Sequence, residues 1–434
     1  MADRIVITGI GIVTAAGVGI DACWHTFLSG RSAVGTLDLF DPTGMASHMA
    51  GQVPSWPVVP DAVGPYPVVG RPMTFAIHAA LEAMQRAGIA DGLDVPPSRR
   101  AVVAAGGFDD QMMVFLARAM DRLVASGEPS FGEVDEDQLV DHLLDDGVLD
   151  GMERYSQVQV MQAVAHLFDA RQALSVSTAC AGGPTAIGDA VTLLRNGEAD
   201  IAIALGVDTL ISREMMGGFC NLTALSTRND APELASRPFD KDRDGFVMGE
   251  GAAALVLERE EVARARGATI LAELAGVGYS SDAYALTAPH PDGNGMAMSM
   301  TRACEDAGIG PEGVQYINAH GTSTPANDKA ETRAIRLAFG DHADSLVVSA
   351  SKGAIGHLIH GAGAVGAVVA VQTILDQTAH PTANLHDPGP GCDLDFVIGV
   401  PRPMNVDVAL VNAFGFGGQN TTLAIRRWDA TAGN

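Results

Sequence analysis

The sequence predicts an α/β fold of layered sheets, on three observations. Short β-branched runs alternate with helical stretches along the whole chain. Several helical stretches are rich in Ala and Gly on every side, the mark of helices buried between sheets and not lying on a surface. Glycine is abundant, with 50 residues in 434, while aromatics make up 5 %.

Taken in order, RIVIT at 4–8 predicts the first strand, and apolar residues at helical spacing predict a helix over 74–87. AVVA at 101–104, SVST at 175–178 and DIAIAL at 200–205 read as strands, with a helix at 184–195 between the last two. AALVL at 253–257 adds another strand. Beyond it, strands at 316–318, 346–349 and 408–411 alternate with helices at 296–307, 329–339 and 363–375. The charged stretch EREEVARARGA at 258–268 separates two parts of similar rhythm, which reads as a duplication with halves 1–260 and 261–434. Gly9 and Gly11 follow the first strand, but only part of a G-x-G-x-x-G is present and no acid stands about 20 residues on, so no dinucleotide site is predicted. Glu133 to Asp150 holds eight acids and no Lys or Arg, and reads as a solvated helix.

Composition removes several function classes. Hydrophobic residues reach 47 %, which excludes disorder. With 27 Lys+Arg against 52 Asp+Glu the formal charge is −25, which argues against a grip on nucleic acid or anionic lipid. The five cysteines are scattered and form no CxxC, so neither a disulfide framework nor a zinc knuckle is predicted, and a cytoplasmic, reducing location fits. No basic, cleavable leader is seen at the N-terminus, and the apolar stretch 361–375 is too short to span a bilayer; no membrane association is expected.

The strongest chemical signal is VSTACAGGPTAIGDA, where a strand runs into Cys180 and Gly182–Gly183 open a helix. A thiol at a helix N-terminus is expected to have a lowered pKa, and its small neighbours let a carbonyl approach backbone N–H groups. Taken alone, Cys180 would more often be an inert core residue. In the second half, His320 follows the strand YIN, and Lys352 and His357 follow the strand ending at Ser349. Each lies in a Gly-rich loop at a strand end, where α/β folds place their sites. A nucleophile, two imidazoles and an ammonium at equivalent strand ends point to catalysis, with no metal.

These pieces resemble the β-ketoacyl-acyl-carrier-protein synthases of the thiolase-like superfamily, over nearly the whole chain. The resemblance rests on TAC at 178–180, ALSTRND at 224–230, RPFDKDRDGFVMGEGA at 237–252, NAHGTSTPANDKAE at 318–331, SKGAIGH at 351–357 and NAFGFGGQN at 412–420. It implies the five-layered α-β-α-β-α thiolase-like fold with duplicated halves, and decarboxylative Claisen condensation of a Cys-bound acyl chain with a malonyl-carrier thioester. It implies Cys180 as nucleophile, His320 and His357 as stabilisers of the enolate, and Lys352 with Glu331 orienting His320. The N–H groups of Cys180 and Phe416 would form the oxyanion hole, Phe416 would gate the acyl pocket, and Thr287, Thr322 and Thr324 would bind the pantetheine arm. No cofactor is implied beyond the phosphopantetheine of an acyl carrier protein, which would be a partner, as would a second copy or a ketosynthase-like subunit.

Some positions depart from the family's pattern. Gly353 and Ile355 stand where Ser and Thr are usual, His360 replaces a Gly, and Thr223 replaces a basic residue that helps dock the carrier. The stretch from Gly107 to Cys180 is longer than usual and contains ERYSQVQVMQ at 153–162. Arg71, Arg99 and Arg100 are candidates for a surviving basic patch. Arg237, Asp240, Arg243 and Asp244 are read as a structural salt-bridge network. Two other readings compete: an acyltransferase that forms an ester or amide without decarboxylation, disfavoured by the two histidines, and a chain-length subunit, disfavoured by Cys180. A thiolase is disfavoured because Cys392 is not in a glycine-rich C-terminal motif.

Overall fold

In the computed structural model, which describes residues 4–107 and 157–430, strands and helices alternate as the composition demands. The first half contributes strands Ile5–Thr14 (β1), Arg100–Gly106 (β2), Gln172–Val176 (β3), Ile201–Asp208 (β4) and Gly251–Arg259 (β5). The second contributes Ala272–Ser281 (β6), Tyr316–Asn318 (β7), Val347–Ser349 (β8), Asp395–Phe396 (β9), Val408–Gly415 (β10) and Gln419–Arg427 (β11). The spatial order is β3-β2-β4-β5-β1 in the first set and β8-β7-β10-β11-β6 in the second, with β9 outside β8. In both sets the first three strands are mutually parallel and the remaining pairs antiparallel. The sets meet along a short antiparallel seam, Val6 opposite Glu273 and Ile7 opposite Ala272.

Helices Ile20–Ser29 (α1), Gly70–Arg86 (α2), Gln157–Leu167 (α3), Gly182–Arg195 (α4), Arg213–Asn221 (α5), Asn294–Asp306 (α6), Pro325–Phe339 (α7) and Ala362–Asp376 (α8) complete the layers. α2 and α3 cover the outer face of the first sheet, and α6 and α7 that of the second. α4 and α8 pack between the sheets, so three apolar cores separate the layers, one for each helical layer. The resulting architecture is the five-layered thiolase-like fold. The segment Ile359–Asp376 is long and apolar enough to cross a membrane, yet 83 % of it is buried in this inter-sheet layer, which accounts for its composition.

The duplicated order is matched by a duplicated packing device. A Cβ on Gly9 or Gly11 of β1 would lie 2.1 Å from the carbonyl oxygen of Ala83 or Ala79 in α2. In β6, a Cβ on Gly276 or Gly278 would lie 2.2 or 2.0 Å from the carbonyl oxygen of Ala303 or Ser299 in α6. Both first strands thus use paired glycines to bring a helix backbone directly onto the sheet. This explains the glycines of VITGIGIVTAAG, which lie inside a strand and not in a phosphate-binding loop. It also explains why β6 escaped prediction, since two glycines weaken a strand signal.

The other unpredicted elements are β9, β11, α1, α3 and α5. α3 begins within ERYSQVQVMQ, whereas the acidic stretch Glu133–Asp150 lies outside the described residues. Within each set the three parallel strands share one direction, and the loops after β3, β7, β8 and β10 carry Cys180, His320, Lys352 with His357, and Phe416 respectively.

Candidate active site

After β3 the chain turns sharply through Ala179, whose φ of 45° is left-handed, and delivers Cys180 in the short helical turn Ala179–Ala181 that leads into α4. Holding a β-carbon residue in that region costs of order 1 kcal/mol or more, so surrounding contacts must enforce it. They do: a Cβ on Gly415 at the end of β10 would come within 3.2 Å of the Cys180 nitrogen. The elbow is clamped between the two halves.

Cys180 is only 4 % exposed, and burial pushes its thiol up to about 11, against the pull of the Lys352 ammonium and the backbone N–H groups of Phe416 and Cys180. The expected lowering at a helix N-terminus is therefore overturned, because desolvation of the thiolate outweighs the charges and dipoles that favour it. The resting group is a thiol.

His320 and His357 are fully enclosed, with ring centroids 5.3 Å apart and interplanar angle 82°. Burial holds both well below the usual imidazole range, and the Lys352 ammonium adds to this, so both are neutral at pH 7. Their tautomers follow from their partners. The backbone N–H of Ile359 donates to His357 Nδ1 at 3.2 Å, and Lys352 Nζ lies 3.4 Å from His320 Nδ1 while donating to the His320 carbonyl at 2.6 Å. With Nδ1 serving as acceptor, each ring carries its hydrogen on Nε2. Nε2 of His357 is buried and has no hydrogen-bond partner among the described residues.

Cys180 and the two histidines bring their sulfur and ring nitrogens within 4.8 Å of one another, a spacing that a metal could use. The donors at both Nδ1 atoms oppose this, because they leave N–H groups, and not lone pairs, on Nε2. The trio is built to meet negative charge.

Behind His320 stands Glu331, whose Oε1 accepts the His320 N–H at 2.7 Å and Asn412 Nδ2 at 3.2 Å, and whose Oε2 accepts the Gly321 N–H at 2.8 Å. Burial raises its carboxyl to about 7, opposed by these donors, and lowers Lys352 to about 8, opposed by Glu331 and Cys180. Both carboxylate oxygens already face N–H groups, which leaves no acceptor for a carboxyl proton and places the negative charge on Glu331. Asn412 had gone unassigned in the sequence. Its motif NAFGFGGQN was visible, but nothing in it shows that the amide reaches a carboxylate 81 residues away.

A cavity of about 280 Å³ joins these groups, lined by Cys180, His320 and His357 at its base and by Phe416 and Thr287, Thr322 and Thr324 along its wall. Lys352 and Glu331 do not line it. Thr322 and Thr324 share a 2.8 Å hydroxyl contact, and Thr324 also accepts the Asn327 N–H as the N-cap of α7. Arg243 donates to the carbonyls of Thr324 and Pro325 and fixes this wall; of the expected salt-bridge network Arg237 pairs with Asp240, whereas Arg243 pairs with Asp328 and Asp244 accepts from the Ser226 hydroxyl and the Thr227 N–H. Phe416 sits between Gly415 and Gly417, whose φ is 81°, with its ring 6.5 Å from that of Phe219.

Arg71, Arg99 and Arg100, the candidates for a surviving basic patch, are each engaged by internal partners. Arg71 is spent on the buried Glu250, Arg99 on Asp200, and Arg100 on the carbonyls of Val95, Phe168 and Leu93. Leu222, which lines the cavity, is exposed instead, and so, by 79 %, is Leu286, the residue before the lining Thr287.

Comparison with known proteins agrees with this geometry. The family description "Beta-ketoacyl synthase, N-terminal domain" matches residues 2–263, and "Beta-ketoacyl synthase, C-terminal domain" matches 271–386. The chain is 40 % identical to 3-oxoacyl-[acyl-carrier-protein] synthase 2 of Synechocystis sp., with 98 % of each covered, and 39 % identical to that of Coxiella burnetii, again over 98 % of each. Among solved structures it is similar to a type II polyketide ketosynthase in complex with its acyl-carrier protein and bound to the hexaketide (TM-score 0.85, 30 % identity, 99 % and 100 % covered). It is likewise similar to the ishigamide ketosynthase/chain length factor (TM-score 0.83, 32 % identity, 99 % and 100 % covered). Aligned almost end to end with its relatives and matched in both halves, this chain belongs to the β-ketoacyl synthase family.

Proposed function

We propose that the chain catalyses decarboxylative Claisen condensation, extending a Cys180-bound acyl group with a malonyl unit delivered on an acyl carrier protein. One observation carries the reading: two neutral imidazoles, each with a donor at Nδ1, present Nε2–H groups beside a buried thiol in one cavity. Cys180 sulfur attacks the acyl thioester, the carbonyl–sulfur bond to the carrier breaks, and the carrier thiol departs with the proton. Malonyl thioester then enters and loses CO₂. The electron pair moves onto the thioester oxygen, where His320 and His357 hold the enolate. Its α-carbon attacks the acyl carbonyl, and the resulting oxyanion meets the N–H groups of Cys180 and Phe416 before the Cys180 sulfur leaves and regains a proton.

Lys352 and Glu331 act through His320 as positioning residues. Thr287, Thr322 and Thr324 border the path for the pantetheine arm, and Phe416 gates the acyl pocket. No cofactor is required beyond the phosphopantetheine of the carrier. The chain is read as two halves, 1–260 and 261–434, located in the cytoplasm. It acts as a dimer, with a second copy or a ketosynthase-like subunit, and the exposed edge strand β3 with Leu174 outward supplies a surface for pairing.

Intact-mass analysis with acyl and malonyl carriers tests the reading. Cys180→Ala should lose adduct and condensation together. An adduct that persists on the Ala variant at another cysteine would refute it.

A further inference from the structure

Asp208 ends β4 with its side chain wholly buried, and its Oδ2 is engaged twice by one residue: His360 approaches it with ring Nδ1 at 2.7 Å and donates its backbone N–H at 2.9 Å. His360 lies three residues beyond His357 in the same loop. Its ring packs on the start of the Cys180 helix, so that a Cβ on Gly182 would come within 3.2 Å of Cδ2, and a Cβ on Gly106 within 2.8 Å of the His360 Cβ. One side chain therefore ties the ends of β2 and β4, the start of α4 and the loop that carries His357.

The pair also bears electrostatically on the site. The Asp208 carboxylate disfavours a thiolate at Cys180, and an imidazolium at His360 favours neutral His357. Among the described residues, Asp208 from β4 and His357 from its own loop are the titratable groups that act on it, and Asp208 in turn acts on Cys180 ahead of α4. We propose that the His360–Asp208 ion pair positions the His357 loop against the Cys180 helix and neutralises a buried carboxylate that would otherwise oppose acylation of Cys180. Burial works against the imidazolium, but the hydrogen bond and charge of Asp208 more than offset it, so His360 stays charged above its usual range. As pH rises through that raised value the pair loses its balance, and the carboxylate alone faces the thiol.

The inference rests on the condensing reading, and the test separates the two. The full chain is incubated with a short acyl-pantetheine thioester across about pH 6 to 10, and the rate of Cys180 acylation is read by intact mass. In the wild type the rise in rate should pause over about one pH unit, the size of the coupling, as His360 loses its proton, and then resume. His360→Gln leaves the carboxylate uncompensated and should slow acylation at neutral pH by about tenfold or more, the effect of one unit in thiol pKa. The double variant His360→Gln/Asp208→Asn holds neither charge. It should recover most of the rate and climb with pH without a plateau. A double variant that is no faster than His360→Gln, that keeps the wild-type profile, or that does not fold would overturn the proposal and leave the pair a structural prop. A wild type that takes no acyl group on Cys180 would instead overturn the condensing reading.

Discussion

Replacing Glu331 by Gln tests how the two imidazoles are held. Each carboxylate oxygen accepts a backbone N–H, from His320 at 2.7 Å and from Gly321 at 2.8 Å. Gln keeps one oxygen and turns the other into an NH₂, which must face an N–H whichever way the amide is flipped. The loss is one charge-assisted bond, about 1.5–3 kcal/mol, and a buried unsatisfied N–H, about 1–3 kcal/mol more, so the fold should weaken by roughly 2.5–6 kcal/mol. Lys352 loses the carboxylate that supports its charge, and its pKa, already down at about 8, falls further. A neutral amine no longer compels His320 Nδ1 to act as acceptor, so the hydrogen on Nε2 is no longer fixed. Malonyl decarboxylation should then fall towards the loss of one oxyanion donor, about 10²–10³-fold, while acylation of Cys180 is largely spared. Urea midpoints and separate half-reaction assays read the two effects. Glu331→Gln/Lys352→Met, with neither charge buried, should regain part of the lost stability. A Glu331→Gln midpoint equal to wild type, with decarboxylation unchanged, would refute the argument.

Other expectations follow from single contacts. His357→Ala should lower condensation by about 10²–10³ with acyl-Cys180 still formed, and survival of condensation within a few-fold would exclude His357 from enolate binding. Gly9→Ala drives a methyl group against the Ala83 carbonyl in α2; it should cost about 1–3 kcal/mol in chemical denaturation, and a neutral result would contradict the packing. Because Arg71, Arg99 and Arg100 are internally paired on a chain of net charge −25, salt at about 0.1 M, where the Debye length is about 10 Å, should speed turnover with carrier-bound acyl groups relative to pantetheine thioesters. A selective slowing would reveal a basic patch. The raised pKa of His360 stabilises the fold fully below its unfolded value of 6.5 and loses that stabilisation as pH rises through the folded value. Asp208→Asn should flatten that alkaline decline in the melting temperature.

What the sequence displayed and what it hid divide along physical lines. Tyr316–Asn318, Val347–Ser349 and the helices around α4 and α8 were legible because their patterns are local: β-branched runs and all-round Ala/Gly surfaces. β11 was not, because QNTTLAIRR begins with polar residues that a strand seldom buries. In the fold they are satisfied by distant partners, Asn420 by Asp282 at 2.7 Å and Thr422 by Asn412 at 3.1 Å. Cys180, His320, Lys352 and His357 were legible because strand ends followed by glycine loops mark sites. The thiol pKa was misjudged because a helix N-terminus can be read from sequence and enclosure cannot. The fate of the candidate arginines was hidden for a related reason: three arginines can be counted, but not the carboxylates and carbonyls that engage them.

The departures at Gly353 and Ile355 show what holds His357 when the usual hydroxyls are missing. A Cβ on Gly353 would lie 2.6 Å from the Ala383 carbonyl oxygen, so this loop lies closer to its neighbour than a side chain allows. Ile355 is buried in the inter-sheet core, and its carbonyl abuts Gly51 and Gly249, where added Cβ atoms would come within 2.0 and 2.5 Å. The His357 N–H donates to Val247 at 2.7 Å, its carbonyl accepts the Gly249 N–H at 2.9 Å, and its ring accepts the Ile359 N–H. His357 is thus held on three sides by backbone groups, which a change of neighbouring side chain leaves in place. Loss of Ser and Thr hydroxyls from the loop therefore need not loosen the imidazole. A substitution that forces the loop away from Gly249 should do more harm to decarboxylation than one that restores them: Gly249→Ala is expected to lower it well beyond Ile355→Thr, and the reverse order would show that side-chain hydroxyls, and not the backbone clamp, set the position of His357.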